Sequence, residues 1–164
     1  MTDRIRRLFL EMIAFDRGDP DLIQHFTKVH SYARLIAAAE GMDAHAAEVL
    51  EAASLVHDIA IPLCNQKYGA HPGHLQEKEG PPLARELLSK LDFSEEEISR
   101  VCALVGEHHT CSPVDGLDHQ ILLEADFLVN GFENKLSRDA LTHGLNAVFA
   151  TQTGRNILTT MFSL

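Results

Sequence analysis

The sequence predicts an all-α fold, and three observations carry that expectation. Apolar residues recur three and four apart in the longer segments, the spacing of one face of a helix. Residues that start and stop helices divide the chain into helix-sized pieces. No stretch shows sustained strand alternation, an internal repeat or a low-complexity tract. With 164 residues, 45% of them hydrophobic, the chain is long enough for one well-buried core and too short for two large domains. A single domain over residues 1–164 is therefore expected, built as a bundle of about six to eight helices.

The elements follow in order. Thr2 or Asp3 caps a first helix to about Phe15, and Asp19-Pro20 starts a second, with proline where its missing N–H does no harm. The second helix runs to about Glu40 and Gly41 ends it; Asp43 caps a third through about Ile59, and Pro62 marks its exit. Residues 62–82 are rich in Gly, Pro and polar side chains and read as a functional loop with at most a short helical turn. Pro81 and Pro82 start a fourth helix through about Leu91. Ser94 with Glu97 spells a capping box for a fifth helix to about His109. A sixth covers about Asp118 to Asn130, and two more, near 137–151 and 154–162, close the chain by packing on the rest. Glu95, Glu96 and Glu97 read as helix-start electrostatics alone, and Glu40, Glu48 and Glu51 as a solvated face.

Charge and composition exclude several function classes. Fourteen basic against 24 acidic residues give a formal charge of −10, which disfavours a broad grip on a nucleic-acid polymer and leaves small-molecule substrates. No apolar run approaches the roughly 20 residues of a membrane span, and the N-terminal stretch has no small-residue cleavage site after its apolar patch, so a cytoplasmic protein is expected. The three cysteines form no C-x-x-C and suggest neither a disulfide framework nor a zinc ribbon. A homo-oligomer is compatible with the apolar residues near Met12 and Phe15 and with the last helix.

The chemistry-bearing residues fall on apolar helix faces. Leu50, Ala53 and His57 are spaced by three and four, so His57 continues an inward row, and Asp58 follows it near the helix end. Leu122, Ala125, Asp126 and Val129 share a stripe, which places a carboxylate on a buried face. Val101 and Val105 lead to His108 and His109. A charge buried without a partner is costly, and inward His and Asp together suit a borderline or hard divalent cation. The second helix offers two further candidates. At ~100° per residue, His25 lies about 60° to one side of the stripe Leu22, Phe26, Val29, Ala33, Ile36, and His30 about 80° to the other. Periodicity leans toward His25 and leaves both open. His45, His119 and His143 read as surface or satisfied core.

The ordered residues His25-x3-Val29-x3-Ala33, His57-Asp58, His108 or His109, then Glu124-Ala125-Asp126-x-Leu128, resemble the HD-domain superfamily of metal-dependent phosphohydrolases over about 21–130. The resemblance implies an HD-like helical bundle with a metal-binding core there. Its first histidine stands four residues before the valine, so it implies His25 rather than His30, and a ligand set of His25, His57, Asp58 and Asp126. It implies one or two divalent ions, Mn, Fe, Mg, Co or Zn, and a small-molecule phosphate ester, a nucleotide or relative, as substrate. His108, His109 and Glu77 are the candidates for a second ion. Gln76 stands where a second-metal histidine is usual in the family, four residues before a glycine, and that departure leaves one or two ions open. Such an ion would activate water, with Asp58 as the catalytic residue that orients or deprotonates it. Lys28, Lys67, His71 and His74 are candidates for binding the phosphate. Two other outcomes are compatible with the ligand set: a di-iron oxygenase of the HD type and a non-catalytic metal-binding sensor.

Overall fold

The computed structural model describes residues 1–111 and 113–164, and among them it forms nine α-helices and no strand. These are α1 (Asp3–Phe15), α2 (Pro20–Ala39), α3 (Ala44–Val56), α4 (Ile61–Tyr68), α5 (Gly73–Leu88), α6 (Glu95–Glu107), α7 (Gly116–Glu133), α8 (Arg138–Ala147) and α9 (Gln152–Phe162). No described helix is long and apolar enough to cross a membrane.

The helix starts follow the sequence punctuation. Thr2, Asp19, Asp43, Ser94, Ser137 and Thr151 each accept a first-turn backbone N–H with their side chain, a cap worth about 1 kcal/mol. Ser94 and Glu97 complete both halves of the capping box, at 3.3 and 2.7 Å. Glu97 does more than cap, because Arg4 reaches it at 2.6 Å and also holds Glu48 at 2.7 Å, tying α1 to α3 and α6. Glu51 accepts from His30 at 2.9 Å and Glu40 from the Thr153 N–H at 2.8 Å. The expected solvated face is thus a row of interhelical anchors. Their partners come from α1, α2 and the start of α9, which periodicity within one helix does not register.

Residues 62–82 are also corrected. They form α4 and the first half of α5, with Pro81 and Pro82 inside the helix rather than at its start. The prolines remove two intrahelical donors, yet the helix persists because Gln76, Gly80, Ala84 and Leu88, four apart, make one buried row against α6. Gly80 allows the close approach: a Cβ there would stand 2.7 Å from the Val105 side chain. Tertiary packing outweighs the local breakers.

One core runs through the bundle, drawing on α1 (Ile5, Leu8, Met12), α2 (Phe26, Val29, Ile36), α3 (Leu50, Leu55, Val56), α5 and α6 (Leu88, Val101, Val105) and α7 (Ile121, Leu122, Leu128). Each such side chain contributes roughly 1.5–3 kcal/mol by leaving water. α7 is the axis, with buried residues from His119 to Gly131, and it packs on α2, α3 and α9. Because both sides of α7 are covered, polar groups on it must find partners within the protein.

Candidate metal centre

Four elements each deliver a side chain to one point. α2 supplies His25 from its second turn, and α7 supplies Asp126 from its middle. α3 ends at Val56, so His57 is its C-cap and Asp58 begins the turn into α4. α6 ends at Glu107, and His108 is its C-cap. The carbonyls of a helix's last turn have no intrahelical donor, and both C-cap histidines use one: the Nδ1–H of His57 donates to Ser54 O at 2.9 Å and that of His108 to Val105 O at 2.7 Å. That bond sets the tautomer and leaves Nε2 with a free lone pair facing inward. His25 is held differently, with Nδ1 2.8 Å from Glu133 Oε2, while Lys28 Nζ sits 2.6 Å from Glu133 Oε1.

The inward atoms converge. His25 Nε2 lies 3.2 Å from His57 Nε2, 3.1 Å from Asp126 Oδ1 and 3.3 Å from Asp58 Oδ2. His57 Nε2 is 3.4 Å from Asp58 Oδ2 and 3.5 Å from Asp126 Oδ1. Asp58 turns its other oxygen to His108 Nε2 at 3.4 Å. Two ligand groups result, His25 with His57 and Asp58, and Asp58 with His108 and His109. Asp126 is fixed by Asn130, whose amide donates to both of its oxygens at 2.9 Å.

This donor set fits a divalent cation. His108 Nε2 is buried without a hydrogen-bond partner; its lone pair faces a carboxylate oxygen, an arrangement of two acceptors that only a cation or a proton makes favourable. Nitrogen and carboxylate donors in this mix suit Mn, Fe, Co or Zn, with Mg favoured by the oxygens.

Without an ion, protons take that part. Burial alone would raise the carboxyl of Asp58, but the neighbouring His57 and His108 imidazoles hold it far below the usual carboxylate range. Burial likewise opposes ionisation of Asp126, and His25 and His57 overcome it. For His25, burial disfavours the charge, but the bond to Asp126 and the nearby Asp58 raise the imidazole to about 9. Asp16, at the end of α1, is a third carboxyl near this region: burial, then Asp19 and Asp58, push it up to about 6, and its Oδ1 has no partner.

The predicted site residues separate into groups. His25, His57, Asp58, Asp126 and His108 come together, and the exposed His109 stacks beside His108 with ring centres 4.0 Å apart. Glu77 is in neither ligand group; its Oε1 accepts from the His109 N–H at 3.1 Å and the Thr110 hydroxyl at 2.9 Å. Lys67 pairs with Glu79 at 2.9 Å, His71 with Asn65 at 2.7 Å, and His74 is exposed. Of the four phosphate candidates, Lys28 alone is linked to a ligand, through Glu133. His30 points away to Glu51, and buried His119 is satisfied by the Asp115 N–H and Glu107 O. Sequence reasoning missed Glu133 and Asp16. Glu133 follows Asp126 by seven residues, so the same helical row could have shown it.

A cavity of ≈190 Å³ opens beside His108, Asp126 and Asn130. A larger groove of ≈410 Å³, between α2 and α9 at Tyr32, Ile157 and Met161, holds none of the cluster.

Comparison with known proteins gives a family and a structural relative. The family model described as HD domain matches residues 22–131. A search of curated proteins finds no match. Among solved structures, a protein described as a predicted HD superfamily hydrolase from an uncultured Thermotogales bacterium is 26% identical; the match covers 97% of this chain and 83% of that one, with a TM-score of 0.66.

Proposed function

The chain belongs to the HD-domain family, and from that premise we propose that it is a metal-dependent phosphohydrolase acting on a phosphate ester of a small molecule, a nucleotide or a relative. The observation that carries this reading is the convergence of three imidazole Nε2 atoms on two carboxylates, Asp58 and the buried Asp126, with every Nδ1 held from behind. The description of the related structure as a hydrolase supports it.

In this reading His25, His57, Asp58 and Asp126 hold one ion, and His108 with His109 and the second oxygen of Asp58 hold another. A bound divalent ion supplies a water of lowered pKa and polarises a phosphoryl oxygen. Asp58 has a carboxyl held so low that it stays anionic, which favours orienting the attacking water over carrying its proton away. Asn130 keeps Asp126 from rotating out. Lys28, partly exposed beside Glu133, faces the phosphate at the rim. A cavity of ≈190 Å³ is below the ~300–1,000 Å³ of pockets that enclose drug-sized ligands, so a phosphate-sized group enters and the remainder of the substrate lies against the surface. The net charge of −10 argues against a nucleic-acid polymer, and the three free cysteines suit a cytoplasmic setting.

Elemental analysis of gently purified protein, followed by a panel of phosphate esters with Mn, Fe, Mg, Co and Zn, tests the reading. The expected result is bound metal together with phosphate release that a chelator abolishes and that His57→Ala lacks. Metal binding with no ester turned over would leave a sensor, and oxygen consumption by an iron form would make it an oxygenase.

A further inference from the structure

Gln76 is buried at the head of the α5 row that faces α6, 5% exposed. One turn earlier, a Cβ on Gly73 would strike the His109 ring at 2.7 Å. One turn later, a Cβ on Gly80 would meet Val105 at 2.7 Å and Ala60 at 3.9 Å. Gln76 therefore leaves α5 between the His109 ring and the Val105–Ala60 contact. Two ligand residues belong to the segments that flank this gap: His108 adjoins His109 and bonds Val105 O, and Asp58 stands two residues before Ala60.

The orientation of the amide is fixed. Its Nε2 donates to His71 O at 2.7 Å, and because a carbonyl only accepts, the NH₂ end must face it. Oε1 is thereby turned the other way, where it is buried with no hydrogen-bond partner, a costly placement if nothing satisfies it. Among the described residues, His108 Nε2 is another such orphan. Both atoms are acceptors and cannot satisfy each other, and Asp58 Oδ1, 3.4 Å from His108 Nε2, is an acceptor too.

We propose that Gln76 gives its side-chain oxygen to the second cation position, beside His108, His109 and Asp58, so that glutamine in place of the family's histidine retunes that position instead of closing it. The inference rests on the metal-centre reading above. An amide oxygen is a harder donor than imidazole nitrogen and equally uncharged, so the exchange shifts the ion preferred without changing the charge of the site. Relative to a histidine at the same place, the second position then shifts toward Mn or Mg, and with one carboxylate beside its two imidazoles, against two carboxylates at the first, it is the weaker of the two. The competing account is a purely structural amide that serves only to hold the His71 carbonyl.

Titration of metal-stripped, full-length protein with Mn²⁺, read by calorimetry and elemental analysis, separates the two accounts. Wild-type protein should bind two ions per chain. Gln76→Leu should bind one, with the tighter Kd unchanged, while Gln76→Glu keeps two and binds the weaker one more tightly. Gln76→His should keep two and move the weaker position's preference toward Zn²⁺ over Mn²⁺ by about 10-fold or more. Melting curves in chelator check that each variant folds, and the Glu and His variants carry the test if Leu does not. Two ions with unchanged affinities in Gln76→Leu, or a single ion in wild type, would overturn the proposal and leave the hydrolase reading standing; no ion in wild type would overturn both.

Discussion

Two buried carboxylates stand two residues apart on α7 and behave as opposites. Glu124 is wholly buried; Oε1 accepts the backbone N–H groups of Ala150 and Thr151 and the Gln120 amide, each at 2.8 Å, and Oε2 accepts the Thr151 hydroxyl. Asp126, on the other side of the helix, has one protein amide and then only imidazole nitrogens and a second carboxylate for neighbours. Burial is therefore not what distinguishes a functional acid from a structural one. Glu124 is closed by donors that cannot give up their role, and it fastens the start of α9 to α7. Asp126 is closed only when something positive arrives.

Exchanging each acid for its amide draws the contrast most sharply. Asp126→Asn should lower metal-dependent turnover by about 1,000-fold or more, roughly 4 kcal/mol, and release the ion from the His25 position. Glu124→Gln keeps an oxygen for the Ala150, Thr151 and Gln120 N–H donors and turns its NH₂ to the Thr151 hydroxyl, but it removes the charge that strengthens these bonds; it should cost on the order of 3 kcal/mol in urea unfolding, while bound metal per folded chain stays constant. If Glu124→Gln lost metal and kept stability, the division between the two sides of α7 would be wrong.

The next effect is a pH dependence confined to the metal-free protein. His25 rises from 6.5 unfolded to about 9 folded, so its contribution, on the order of 3 kcal/mol, is fully present below pH 6.5 and disappears as pH climbs through 9. Asp58 and Asp126 are shifted down, so their contribution is present above ordinary carboxylate pKa values and is lost in acid. Denaturation curves of stripped protein between pH 6 and 10 should fall in stability, whereas metal-loaded protein, with the ion in place of the proton, should not. Parallel curves for the two forms would contradict the exchange of proton for ion. Smallest is Glu133→Gln, which keeps an acceptor for His25 Nδ1 and removes the charge; it should weaken the ion at the His25 position by about 10- to 100-fold, with Gln76's position unaffected in the same titration.

Much of this was legible in the sequence because it depends on neighbours along one helix. The caps at Asp19, Asp43 and Ser94 are read from adjacent residues, and the rows through His57 and Asp126 come from the helical period. His25 was not decided that way: its stripe left His30 open, and the family pattern chose. What stayed hidden depends on distant chain. Glu133 matters because of His25, 108 positions away; Glu124, because of a loop 26 and 27 positions on. Residues 62–82 looked like a loop since Gly and Pro dominate locally, and only the facing surface of α6 makes Gln76, Gly80, Ala84 and Leu88 worth a helix.

Arg4 has a wider consequence. Its guanidinium forks between Glu48 and Glu97 and lies over the Phe93 ring at 4.8 Å, which rivets a helix lying wholly ahead of the matched segment 22–131 onto its middle. Anyone trimming the gene to that segment would strip the lid from Leu8 and Met12's neighbours and leave two acids facing water without their clamp. Such a shortened polypeptide should bind a hydrophobic dye and sediment as aggregate, since the unit that folds begins earlier than the unit that is recognised.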